Sequence, residues 1–118
     1  IDQRGDIHHL FPRNYLKKHG LNRGQYNQIA NFVYMQSEIN IKVGSNSPGV
    51  YFAEILEQCN TGELRYGGIK DFQALEENLH ENCIPDNITE MDINDYEGFL
   101  KERRTLMARK IRDYYYSL

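Results

Sequence analysis

The hydrophobic pattern of this chain predicts short strands near its beginning and helices after them. Residues 6–10 predict a first short strand, and residues 29–35, rich in β-branched and aromatic side chains, predict a second. Between them, residues 13–19 predict a helix of one or two turns that Gly20 ends, and the polar residues 21–27 predict a loop. We therefore expect a hairpin-like pair of strands with a long insert.

Two helix starts follow the second strand. Ser37 is a suitable N-cap for a short helix that runs through Asn40 and Lys42. Ser47 followed by Pro48 has the residue types that favour an N-cap and a first helical position, so a helix is expected from there to about Gln58. Its predicted apolar stripe comprises Val50, Tyr51, Ile55 and Leu56.

The second half of the chain predicts two further helices. Residues 69–82 carry Phe72, Leu75 and Leu79 at spacings of three and four. Residues 93–116 give the strongest periodic signal for a helix, and Asp92 is its predicted N-cap. Gly98 inside this helix lowers its stability by about 1 kcal/mol relative to alanine. The apolar face of this last helix comprises Ile93, Tyr96, Phe99, Leu100, Leu106, Met107, Ile111 and Tyr114, and the opposite face carries Arg103, Arg104, Arg109, Lys110 and Arg112.

Charge is distributed in blocks along the 118 residues, whose net charge is −3. Residues 1–53 have six bases and three acids, residues 54–97 two bases and twelve acids, and residues 98–118 six bases and two acids. This segregation can leave a basic face for nucleic acid beside an acidic segment that turns elsewhere, or it can reflect simple solvated helix faces.

The composition bounds the class of protein. The length suits one domain that buries roughly two thirds of its unfolded surface. Cys59 and Cys83 have no zinc-type spacing and favour reduced, packed thiols in a cytoplasmic protein. There is neither a signal peptide nor an apolar run long enough to cross a bilayer, so no membrane partner is expected. Because the chain begins at Ile1, we expect a fragment of a longer protein.

Adjacent histidines mark the candidate chemistry. On an extended segment the side chains of His8 and His9 point to opposite sides, so one can face a metal ion while the other faces a substrate. Pro12 ends the strand just beyond them. Phosphodiester cleavage needs a water that has lost a proton to a general base, and an imidazole with a pKa of about 6.5 can be that base. It also needs stabilisation of the negative charge in the transition state, which a divalent ion can provide.

The motif Asp6-Ile7-His8-His9-Leu10-Phe11-Pro12, followed by Asn31 and then Asn40, resembles the HNH motif of ββα-metal nucleases. The segments DIHHLFPRNYLKKHG, NQIANFVYMQSEINIKVGSNSP and YEGFLKERRTLMARKI together resemble the C-terminal HNH domain of GmrSD-type modification-dependent restriction proteins. The specific motifs lie in residues 6–48. In that group a nucleotide-binding domain precedes the HNH domain, so the resemblance implies DNA and such an upstream domain as partners.

The resemblance implies a role for each matching residue. His8 and Asn40 would be metal ligands, and His9 the general base. Asn31 would brace the hairpin loop by hydrogen bonds that orient His9. Weaker assignments are Asp6 and Glu38 as additional ligands, Lys42 as a phosphate contact in the catalytic site, and Arg13, Lys42, Arg103 and Arg104 as nucleic-acid contacts.

We therefore expect an α+β fold that is mostly helical, with a ββα-metal core in residues 1–60 and a helical extension in residues 61–118 that packs on it as one compact domain. The expected function is a metal-dependent DNA endonuclease in restriction-type defence. The alternatives are a binding module that has lost turnover and a purely structural regulatory domain. The cofactor would be one divalent ion (Mg²⁺, Mn²⁺, Ni²⁺ or Zn²⁺), and a histidine ligand favours Mn²⁺ or Ni²⁺ over Mg²⁺.

Overall fold

The computed structural model describes residues 6–35, 45–63, 69 and 71–118. Its elements in chain order are β1 (Asp6–His9), α1 (Arg13–Lys18), α2 (Arg23–Tyr26), β2 (Phe32–Met35), α3 (Pro48–Thr61), α4 (Phe72–Glu81) and α5 (Tyr96–Tyr116). Short 3₁₀ helices occupy Ile29–Asn31, Asp86–Glu90 and Ile93–Asp95. The predicted mostly helical α+β class is confirmed, while the helix expected after Ser37 lies outside the described residues. None of the described helices has the length and apolar character needed to cross a membrane.

The β1 and β2 strands form an antiparallel pair, in which Asp6 faces Met35, Ile7 faces Tyr34, His8 faces Val33 and His9 faces Phe32. The second strand begins three residues later than the pattern predicted, because Ile29–Asn31 forms a 3₁₀ turn in which the Asn31 amide donates to the Gln28 carbonyl at 2.8 Å. The Asn31 carbonyl then accepts from the Leu10 amide at 2.8 Å, which extends the contact between the two segments beyond the ladder.

The segment predicted as a loop before Asn27 contains helix α2, so that prediction was wrong. Asn22 caps this helix with a capping box: its side chain accepts from the Gln25 amide at 3.0 Å, and its own amide donates to the Gln25 side chain at 2.8 Å. These bonds satisfy helix-end groups of a very short helix. The stop at Gly20 was predicted correctly, and its φ of 86° is a conformation that glycine adopts without strain.

Helix α3 begins as predicted, with Ser47 as N-cap accepting from the Val50 amide at 3.4 Å and Pro48 in the first turn. Its buried face includes Tyr51 and Ile55, whereas Val50 is 49% exposed and does not belong to the stripe. In α4, Leu75 and Leu79 are buried but Phe72 is 53% exposed. Phe72 is the first residue after the capping Asp71 and falls outside the core-facing stripe.

Side chains from both halves of the chain share one hydrophobic core. Phe11, which follows the histidine pair, packs against Tyr96 and Phe99 of α5 with ring centroids 5.0 Å and 4.9 Å away. The fully buried members of this core include Leu10, Phe11, Leu16, Phe52, Ile55, Ile88, Tyr96 and Phe99. The hairpin is therefore anchored directly to the C-terminal helix.

Candidate active site at the hairpin

The register of the hairpin places His8 and His9 on opposite faces of the two-stranded sheet. Residues directly opposite each other in an antiparallel pair share a face, so His8 lies beside buried Val33 and His9 beside Phe32. Both histidine side chains are partly exposed. The two neighbouring imidazoles therefore lie on different faces of the sheet, one beside Val33 and the other beside Phe32.

The His9 ring is fixed by one hydrogen bond and two aromatic contacts. Its Nε2 lies 2.9 Å from Oδ1 of Asn27. The Phe32 ring packs edge-on against it at a centroid distance of 4.9 Å, and the Tyr26 ring lies 6.2 Å away. Because the Asn27 oxygen is an acceptor, Nε2 must carry the hydrogen, which leaves Nδ1 of the neutral imidazole with a lone pair.

Asn31 joins the segments on either side of the His9–Asn27 contact. Its Oδ1 accepts from the Phe11 amide at 2.7 Å, and its Nδ2 donates to the carbonyls of Phe11 at 3.1 Å and Tyr26 at 3.2 Å. The side chain is completely buried. Asn31 therefore holds the chain just after His9 to the residue just before Asn27, and the hydrogen bonds of its side chain go to Phe11 and Tyr26 rather than to the His9 ring.

Of the predicted metal ligands and the predicted phosphate contact Lys42, only some lie within the described part of the structure. Asp6 begins β1, but its side chain is not described, and Glu38, Asn40 and Lys42 lie outside the described residues. Of the predicted ligands, His8 is the one whose side chain the structure describes. Within the described ranges, no group of three or more His, Cys, Asp or Glu side chains could hold a metal ion.

The predicted nucleic-acid contacts divide into exposed and buried residues. Arg13 and Arg104 are exposed, and Arg104 donates to the Gln28 side chain at 3.1 Å, in the segment that carries Asn27. Arg103 is only 4% exposed and donates to backbone carbonyls. The prediction that Arg103 contacts nucleic acid was wrong, because its guanidinium points into the protein and its α5 face packs on the hairpin.

The sequence pattern missed three residues at this site. Asn27 holds His9, Tyr51 donates its hydroxyl to the Leu10 carbonyl at 2.5 Å, and Tyr96 donates to the Gln25 carbonyl at 2.6 Å. Burial raises the pKa of both tyrosines above the ordinary value, to about 12 for Tyr96. The Asn-x-x-Gln spacing of the α2 capping box is a sequence signal for the local turn, but the partners of these side chains are set by tertiary packing.

Comparison of the chain with protein-family models, with curated proteins and with solved structures found no match. The assignment of a function therefore rests on the residues of the hairpin and on their geometry.

Proposed function

We propose that this chain is a metal-dependent endonuclease domain that hydrolyses phosphodiester bonds in DNA, as part of restriction-type defence against foreign or modified DNA. The observation that carries the proposal is the geometry of His9. Its Nε2 is bound to Asn27, its ring packs against Phe32, and the residue is partly exposed. A side chain held in this way can present Nδ1 to a water as a general base.

His8 and His9 would have separate tasks. His9 would accept the proton of the attacking water through Nδ1, while the bond to Asn27 keeps the required tautomer and ring orientation. His8, on the other face, would supply an imidazole ligand, with Asn40 supplying an amide oxygen and Asp6 and Glu38 as further candidates. This donor set suits Mg²⁺, Mn²⁺, Ni²⁺ or Zn²⁺. A divalent ion held there would act as a Lewis acid on the phosphate.

Exposed basic side chains near the hairpin are suited to hold the DNA backbone. Arg104 lies against Gln28, and Arg13 begins the helix that follows the histidine pair. Lys42 is the further candidate for a contact to the scissile phosphate. Such contacts would give an affinity that falls as salt rises. An upstream nucleotide-binding domain of the same protein would supply recognition of the DNA.

Plasmid cleavage with each metal separately tests the proposal. We expect cleavage by the native chain, best with Mn²⁺ or Ni²⁺, and none by His9→Ala, which should still bind metal. His8→Ala should lose metal binding measured by calorimetry. His80→Ala, which changes an exposed histidine of α4, is the matched control and should cut normally.

Two results would count against this function. Equal inactivity of native chain and His9→Ala with all four metals, while both bind DNA, would favour the binding-module alternative. Activity clearly highest with Mg²⁺ would contradict the role of His8 as a ligand.

A further inference from the structure

Arg103 is a charged side chain buried in the core-facing side of α5. It is 4% exposed, and no ion pair joins it to an acidic group among the described residues. Burial lowers the pKa of its guanidinium from the ordinary value. Burying a charge without an opposite charge is costly unless hydrogen bonds compensate. The hydrogen bonds of the Arg103 guanidinium must therefore compensate for the burial of its charge.

Among the residues that the structure describes, the acceptors of Arg103 are backbone carbonyls, and two of them flank Asn31. Its Nη1 donates to the carbonyls of Ala30, at 2.9 Å, and Phe32. Its Nη2 donates to the Asn82 carbonyl, just after α4, at 3.1 Å. Its Nε has no hydrogen-bond partner within the described part of the chain.

The backbone that Arg103 holds lies directly against strand β1, which carries the candidate base His9. Asn31, between the two bonded carbonyls, accepts from the Leu10 amide and clamps Phe11. Phe32 is the residue opposite His9 in the ladder, and its ring packs on the His9 ring. A shift of residues 30–32 would therefore move the hydrogen bonds that Asn31 makes to Leu10 and Phe11. It would also move the Phe32 ring that packs against His9.

The planar shape of the guanidinium suits this task. Nη1 has two hydrogens for the two carbonyls around Asn31, while Nη2 points to a third carbonyl from a different element. A lysine ammonium keeps the charge but has a single nitrogen, so it cannot reproduce the same fork.

We propose that Arg103 is the positioning residue of the hairpin, fixing residues 30–32 from α5 so that His9 is held in its working orientation without any contact between Arg103 and DNA. Its effect on cleavage rests on the proposed endonuclease function, whereas its effect on the hairpin backbone does not.

Steady-state kinetics separates this role from a phosphate contact. For Arg103→Lys and Arg103→Met we expect kcat to fall roughly tenfold to a hundredfold, since a small displacement of a catalytic group can have such an effect, with KM within about twofold and an unchanged salt dependence of DNA binding. Arg104→Met, at the exposed neighbouring position, should instead raise KM and reduce the salt slope. Lys101→Met, which removes an exposed positive charge from the same helix, is the matched control. It should leave kcat, KM and the salt dependence of DNA binding unchanged.

Amide hydrogen exchange provides a measurement that does not depend on activity. The amides of Leu10 and Phe11 donate to the backbone and side chain of Asn31. In Arg103→Lys we expect their exchange to become at least roughly tenfold faster, while that of Ile55 in α3 is unchanged, because local opening is separate from global unfolding. If Arg103→Met does not fold, Arg103→Lys decides the question.

Two outcomes would overturn the proposal: a change in KM and salt slope with kcat preserved, or exchange at Leu10 and Phe11 that stays as in the native chain or rises only in step with Ile55. If none of the four metals supports DNA cleavage by the native chain, the proposed endonuclease function fails. The exchange data then still decide the positioning role of Arg103.

Discussion

Asn31 is completely buried, and both polar atoms of its side chain are hydrogen-bonded to backbone groups of the hairpin insert. A serine or alanine at this position would leave the Phe11 amide and the carbonyls of Phe11 and Tyr26 without these partners. Unsatisfied buried groups cost more than the net gain from making such bonds. The role of Asn31 in stability is therefore separable from any role of His9 in chemistry.

For Asn31→Ala we expect the free energy of unfolding to fall by about 3 kcal/mol, since a buried donor and two acceptors lose their partner. Urea denaturation followed by circular dichroism measures this change. Asn27→Ala, at the exposed partner of His9, is the comparison and should change stability by less than about 0.5 kcal/mol. A loss below about 1 kcal/mol for Asn31→Ala would contradict the clamp as a major source of stability.

The two ends of helix α5 differ in their surroundings. Its first turns bury Tyr96, Phe99, Leu100 and Arg103. Farther along, the same face carries Ile111 and Tyr114, which are 60% and 64% exposed. The periodic pattern predicted the helix and its end, but the α-helix begins three residues later than predicted, after the 3₁₀ turn Ile93–Asp95 that Asp92 caps. The core of the described part of the chain covers only the first turns of α5.

Two glycines in helices should respond differently to substitution by alanine. A Cβ at Gly98 of α5 would meet no atom within 4 Å, whereas a Cβ at Gly49 of α3 would lie 3.1 Å from the Met91 carbonyl oxygen. We expect Gly98→Ala to raise the free energy of unfolding by about 0.5 to 1 kcal/mol through helix propensity. Gly49→Ala should be neutral or destabilising.

Thermal and urea denaturation of the two variants measures this difference. Equal stabilisation by both substitutions would contradict the close approach of Gly49 to the Met91 carbonyl oxygen.

Across the whole molecule, two tyrosine hydroxyls connect the helices to the hairpin region. Tyr51 of α3 donates to Leu10, and Tyr96 of α5 donates to Gln25. Burial is the main cause that raises the pKa of each phenol, and the nearby Glu97 adds to it for Tyr96. The folded state therefore holds these protons more tightly than the unfolded state does.

This difference predicts a loss of stability in alkali. Since the folded-state pKa of Tyr96 is about 12 and its ordinary value is 10.0, its contribution is complete below about pH 10 and is lost as the pH rises towards about 12. Urea denaturation at increasing pH measures the decline. Tyr96→Phe should lower stability at neutral pH by about 1 kcal/mol, the net value of one hydrogen bond, and make the decline shallower. An unchanged pH dependence in this variant would contradict the role of Tyr96.

Local sequence determined the mostly helical α+β class, the stop at Gly20, the start of α3 at Ser47–Pro48, the strand that carries the histidine pair and the presence of its partner strand. These features depend on backbone preferences, capping groups and side-chain periodicity, which act over a few residues. The same local rule, alternation along a strand, was enough to predict that His8 and His9 lie on opposite faces.

Tertiary structure alone decided which side chains hold the hairpin. Arg103 was assigned to the basic face by its charge, although it lies three residues after Leu100 and four before Met107, within the apolar stripe. It is buried because the first half of α5 packs on the hairpin, where backbone carbonyls accept its hydrogen bonds and offset the loss of water around its charge. The pairing of His9 with Asn27 likewise joins residues 18 positions apart. Sequence periodicity states which face of a helix is apolar, but the partner of a polar side chain depends on where the chain returns in space.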